Sequence, residues 1–104
     1  MATKVELYWW EGCPSWHDAL TLVRDAMSDA GLDPDQLEVV RIETEDDAER
    51  EGFIGSPTIR VDGHDVQPPT DPEPPGLTCR VYRLRDGRTS PLPDPADVRE
   101  ALAA

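Results

Sequence analysis

The sequence contains no apolar run approaching the roughly 18 residues that a membrane-spanning helix requires. Its first residues also lack the basic-then-apolar order of a secretory leader, so a cytoplasmic protein that stays off the membrane is expected. Basic side chains are scarce: ten Lys and Arg stand against twenty-two Asp and Glu, for a net charge of -12. A chain of that charge repels phosphate backbones, which argues against nucleic acid as a partner. The basic residues that do gather, Arg80, Arg83, Arg85 and Arg88, alternate with apolar positions as the solvent face of a strand would. Cysteine is scarcer still, with only Cys13 and Cys79. In a reducing compartment two cysteines in a chain of this size read as reactive thiols or core residues rather than as a permanent staple.

What is present reads as one domain over residues 1–104. The apolar residues gather in short runs, VELYWW, LEVVRI, TIRV and CRVYRL, which favours a folded core over disorder. Val5 to Trp10 forms a strand that ends at the Glu11-Gly12 turn. Trp16, Leu20, Val23 and Met27 then recur at helical spacing and predict a helix that ends near Gly31. Pro14 suits the first turn of that helix, where its missing amide has no partner to lose, and Trp16 is assigned to the helix core.

Leu37 to Ile42 predicts a second strand, buried on both faces as in a parallel pair. Thr44 opens a short helix that stops by Gly52. Thr58 to Val61 and Cys79 to Leu84 predict the third and fourth strands, with a turn at Asp86-Gly87, and Pro95 to Leu102 a last helix started by Asp94. Between the last two strands lies a loop, residues 62–78, with five prolines: Pro68, Pro69, Pro72, Pro74 and Pro75. A loop so rich in proline excludes helix and strand, and its length suggests a lid or an insertion.

The chemistry centres on Cys13, set between a strand and a helix in the motif Gly12-Cys13-Pro14-Ser15-Trp16. Unpaired amides and the positive end of the helix dipole converge there and stabilise a thiolate. The thiol is thereby expected to ionise below its usual pKa of about 8.5, which makes Cys13 a candidate nucleophile. His17 is a candidate proton acceptor or positive neighbour, and Glu11 opposes thiolate formation. Trp9 and Trp10 alternate at the strand end, so one is expected to be buried while the other, assigned as Trp10, flanks the site. In Gly55-Ser56-Pro57-Thr58, the proline between helix and strand is a candidate for a cis peptide bond. Ser56 would then offer free backbone groups to an extended peptide or thiol ligand.

Taken together, the cysteine at a strand-to-helix junction, the segment Phe53-Ile54-Gly55-Ser56-Pro57-Thr58 and the order β-α-β-α-β-β-α resemble the thioredoxin superfamily. The motifs also resemble those of small bacterial thioredoxin-like proteins, some of whose relatives carry selenocysteine at the nucleophile position. The resemblance implies an α/β fold with a central four-stranded mixed sheet flanked by helices. It further implies thiol-disulfide or thiol peroxidase-like chemistry at Cys13, with Ser56, Pro57, Trp10 and Pro14 holding the substrate. Trp16 stands where a second motif cysteine would be, so the motif is monothiol. A mixed disulfide at Cys13 must then be resolved by glutathione as co-substrate, by a thiol-bearing or disulfide-bearing partner protein, or by Cys79.

Cys79 has two readings. The start of a hairpin's second strand lies opposite the end of its first, far from Pro57, which makes Cys79 a buried strand cysteine out of reach of Cys13; a disulfide needs α-carbons within about 7 Å. Alternatively, the proline-rich loop curls over the site and delivers Cys79 as a resolving thiol. Two other functions stay open. One is a non-catalytic module that binds a partner beside Pro57. The other is a soft-metal site for copper, zinc or mercury built on Cys13 and His17 with Cys79 or His64, although His64, following Asp62-Gly63, reads first as part of a turn.

Overall fold

The first strand, β1 (Val5–Trp9), is the axis of the molecule, because its alternating side chains serve two different cores. Val5 and Leu7 point to one face of the sheet, where they pack with Val23, Met27, Ile59 and Val98; Tyr8 points to the other, with Ile42, Ala48 and Phe53. A computed structural model describes residues 3–103.

The helix α1 (Trp16–Asp29) carries the chain from β1 to β2 (Glu38–Arg41), which pairs with β1 in parallel. A short 3-10 turn at Pro34–Gln36 precedes β2, with the Asp33 carboxylate accepting from the Asp35 amide. The helix α2 (Glu45–Glu51) begins where Thr44 Oγ1 accepts from the Asp47 amide and ends at Gly52, whose φ of 64° closes the helix in the left-handed region. The strand β3 (Thr58–Val61) lies antiparallel on the other side of β1, followed by β4 (His64–Asp65), giving a mixed sheet of order β2-β1-β3-β4. A separate hairpin, β5 (Tyr82–Arg83) with β6 (Thr89–Ser90), precedes α3 (Pro95–Ala103). Its start is fixed by Asp94, whose carboxylate accepts from the Ala96 amide. The fold is therefore α/β, with three α-helices and a four-stranded mixed sheet. Among the described residues, no helix is long and apolar enough to cross a membrane.

Three expectations are corrected. The strand β2 is not buried on both faces: it forms the sheet edge, Val39 is 40% exposed, and one face alone reaches a core through the partly buried Val40, with the flanking Leu37 and Ile42 buried. The fourth strand of the sheet is His64–Asp65 rather than Cys79–Leu84. Asp62 and Gly63 both take positive φ, 51° and 84°, so a two-residue turn folds the chain straight back onto β3. Trp16 is not a core residue. It opens α1 beyond the sheet end, half-buried, with its ring stacked between those of Trp9 at 4.0 Å and His17 at 3.7 Å.

Candidate functional site

The site is assembled at the end of β1, where three stretches distant in sequence meet. Cys13 lies in the turn between β1 and α1, its amide donating to the Trp10 carbonyl at 3.1 Å. It has no solvent-accessible surface. Gly12 is needed beside it because the Trp10 ring folds over the backbone and a Cβ there would overlap the indole. Pro14 is exposed and sits in the turn ahead of the helix rather than in its first turn, since α1 begins at Trp16. Neither Trp9 nor Trp10 is fully buried; both are half-buried. His17 is exposed and stacked on Trp16.

The second stretch is Gly55-Ser56-Pro57-Thr58, in which the Ser56-Pro57 bond is cis. The buried Ser56 hydroxyl accepts from the Trp10 amide at 3.0 Å, which ties this loop to the Cys13 turn. Thr58 donates its hydroxyl back to the Gly55 carbonyl at 2.6 Å.

The third stretch, Thr78-Cys79-Arg80, overturns the separation of Cys79 from Cys13 that a hairpin with β3 implies. Because β4 already occupies that edge of β3, the chain after the proline-rich loop runs elsewhere and pairs in parallel with Ser56. The Ser56 amide donates to the Thr78 carbonyl at 2.8 Å, and the Arg80 amide donates to the Ser56 carbonyl at 2.9 Å. Cys79 thus lies opposite Ser56 and forms a disulfide with Cys13, their α-carbons 5.6 Å apart. Cys79 is exposed, not a buried strand cysteine, and the Ser56 backbone is engaged rather than free.

Gly55 permits this close pairing. Its φ is 151°, and a Cβ would stand only 2.9 to 3.0 Å from the Arg80 Cβ, Cα and N.

Arg80 is the residue whose role sequence reasoning missed. Alternation with apolar positions predicts a solvent face shared with Arg83, Arg85 and Arg88, but Arg80 is 6% exposed and turned inward. Its guanidinium donates to Asp65 through Nη1 at 2.5 Å and Nη2 at 3.0 Å, to the Gln67 carbonyl at 2.5 Å, and covers the Tyr82 ring at 4.4 Å. A fork-to-fork pair of this kind satisfies a guanidinium that would otherwise be buried at high cost. Tyr82 in turn donates to the Pro57 carbonyl at 2.6 Å, and burial pushes its phenol well above the usual tyrosine range. The inward phase of Arg80 and Tyr82, with the 70% exposed Val81 between them facing out, is the available signal: Tyr82 demands the inside, and Arg80 shares its side of the chain.

Chemically, the arrangement presents a disulfide with one buried and one exposed partner, beside a cis-proline loop and an aromatic stack. Among the described residues no group of three or more His, Cys, Asp and Glu is arranged to hold a metal ion, and both thiols that a soft-metal site would use are joined to each other. No family model matches this chain, and neither do any curated protein or any solved structure.

Proposed function

We propose that the protein is a thioredoxin-like thiol-disulfide oxidoreductase of the reducing cytoplasm whose redox centre is the Cys13–Cys79 pair. The observation that carries this reading is the docking of Cys79 against Ser56, next to the cis-proline, with Cys13 opposite it. The motif around Cys13 contains one thiol, and the second thiol of the cycle, Cys79, comes from the far side of the proline-rich segment.

A static staple would need only the covalent bond. Here the Ser56 pairing and the Arg80–Asp65 ion pair hold the Cys79 backbone in place independently of it. The reduced thiols therefore remain face to face, which is the requirement for reversible exchange. Two thiol equivalents convert the disulfide to a dithiol, and the dithiol returns those electrons to a disulfide or glutathionylated thiol on a partner.

The test is to titrate the folded protein with glutathione redox buffers and follow Cys13 and Cys79 by alkylation and mass spectrometry, then to measure turnover of a glutathionylated peptide. The expected result is reversible two-electron reduction with retained secondary structure, together with turnover that is lost when both cysteines are replaced. A pair that resists reduction until the protein unfolds, with no turnover, overturns the reading.

A further inference from the structure

The two sulfurs of the pair stand in unequal surroundings, and this inequality assigns them different roles. An attacking thiolate must approach a disulfide along the S–S axis, from the far side of the sulfur it attacks. At Cys13 that approach is closed, since the residue has no accessible surface and is enclosed by the turn of residues 10–16. Cys79, by contrast, is an exposed residue at the end of the proline-rich segment, so of the two it is the one that solvent reaches. Access to a sulfur, together with thiol acidity, sets the rate at which it is attacked.

The backbone adds a second, independent reason. Cys79 is held between two hydrogen bonds to Ser56, and the next residue is locked by Asp65. Carrying an external group on Cys79 therefore leaves its backbone on the Ser56 edge, within reach of Cys13. Carrying one on Cys13 would require displacing the Cys79 segment first.

Resting on the redox reading above, we infer that Cys79, not Cys13, is the sulfur that exchanges with outside thiols and disulfides, and that Cys13 is the internal resolving thiol. This reverses the roles expected from the Gly12-Cys13-Pro14 motif. In reduction of the protein, a small thiolate such as that of glutathione attacks Cys79 Sγ. A bond forms between the two sulfurs, the Cys13–Cys79 bond breaks, and its electron pair leaves on Cys13 as a thiolate. That leaving group sits just ahead of α1, whose N-cap Ser15 makes no side-chain capping bond, so the positive end of the helix stays available to the charge. A second glutathione thiolate then attacks the glutathione sulfur of the adduct, releasing glutathione disulfide and the Cys79 thiolate. In the opposite direction, the Cys79 thiolate attacks the substrate disulfide and expels one substrate thiolate. Cys13 then attacks Cys79 Sγ, expelling the second substrate thiol and restoring the internal disulfide.

The experiment follows the intermediate in the wild-type chain. Oxidised protein is mixed with reduced glutathione, quenched with acid at short times and digested, and the glutathione-bearing peptide is identified by mass. The expected adduct is on Cys79, in excess over any on Cys13 by about tenfold or more. In parallel, Cys13→Ser and Cys79→Ser are treated with oxidised glutathione. The variant that keeps Cys79 is expected to accumulate a stable adduct about tenfold faster than the variant that keeps Cys13. Predominant labelling of Cys13 in the wild type, or equal rates in two folded variants, overturns the assignment while leaving the redox reading intact. Failure of glutathione to reduce the native pair at all overturns both.

Discussion

Arg80 and Asp65 form a two-point ion pair between the segment that bears Cys79 and the strand β4 that follows the Asp62-Gly63 turn. The position of the second cysteine is thus set by a carboxylate from another part of the chain. Replacing Asp65 by Ala leaves Arg80 buried without its counter-charge, which typically costs about 3–5 kcal/mol when one partner of a buried pair is removed. The expected result is a loss of that order in urea unfolding and slower reoxidation of the reduced pair. Unchanged stability and unchanged reoxidation would separate Arg80 from the placement of Cys79.

Gly55 gives a sharper steric test of the same docking. Gly55→Ala puts a methyl group against the Arg80 backbone at a φ that side chains rarely adopt, whereas Gly76→Ala meets only a Glu45 oxygen at 3.5 Å. The first substitution is expected to cost roughly 2 kcal/mol or more and to loosen the Cys79 segment; the second to stay within about 1 kcal/mol. Hydrogen exchange at the Ser56 and Arg80 amides reads the difference, faster in the Gly55 variant and unchanged in the Gly76 variant.

Much of this arrangement could be read from residue order alone. The period of Val23, Met27 and their neighbours marks α1, Thr44 and Gly52 bracket α2, and Gly55-Ser56-Pro57 marks the loop that faces Cys13. The pairing of the cysteines could not be read, because it depends on which segment occupies the edge of β3. The strand β4 is only two residues long, too short to show a period, and its turn was visible only as Asp62-Gly63. Once it takes that edge, the Cys79 segment must pair elsewhere. Arg80 looks solvent-facing in sequence because it alternates with apolar positions, and only the fold shows its carboxylate partner Asp65. The two-sided burial expected of β2 came from Val39 and Val40, which local sequence cannot distinguish from a central strand.

Reduction of the pair removes a cross-link between residues 66 positions apart. In the chain-entropy description a loop of that length is worth about 4 kcal/mol, through restriction of the unfolded chain. Domains of this kind have total stabilities of only about 5–15 kcal/mol. The reduced protein is therefore expected to keep its circular dichroism spectrum at room temperature but to unfold at clearly lower urea concentration than the oxidised form. Coincident unfolding curves would mean that the bond does not restrain the unfolded chain. A reduced form without native structure would mean that the Ser56 pairing cannot hold the segment alone.

The two tyrosines supply a pH test that does not involve the cysteines. Burial, then the hydrogen bond that the Tyr8 hydroxyl donates to Glu6 at 2.8 Å and the negative charge of that carboxylate, push the Tyr8 phenol up to about 12 against the opposing charge of Arg60. Tyr82 is pushed up chiefly by burial. In the unfolded chain both ionise near pH 10. Above that pH the folded state retains phenolic protons that the unfolded state has lost, so stability falls as pH rises. Their contribution is complete below about pH 10, declines between there and the folded values, and is fully lost above them. Near-ultraviolet titration should therefore show no tyrosinate step around pH 10, and the signal should rise together with loss of structure in one alkaline transition. Glu6→Gln removes the carboxylate charge but not the burial, so it should lower the Tyr8 titration without bringing it to the free value. A tyrosinate step near pH 10 in protein that is still folded would show that at least one phenol is not held as described.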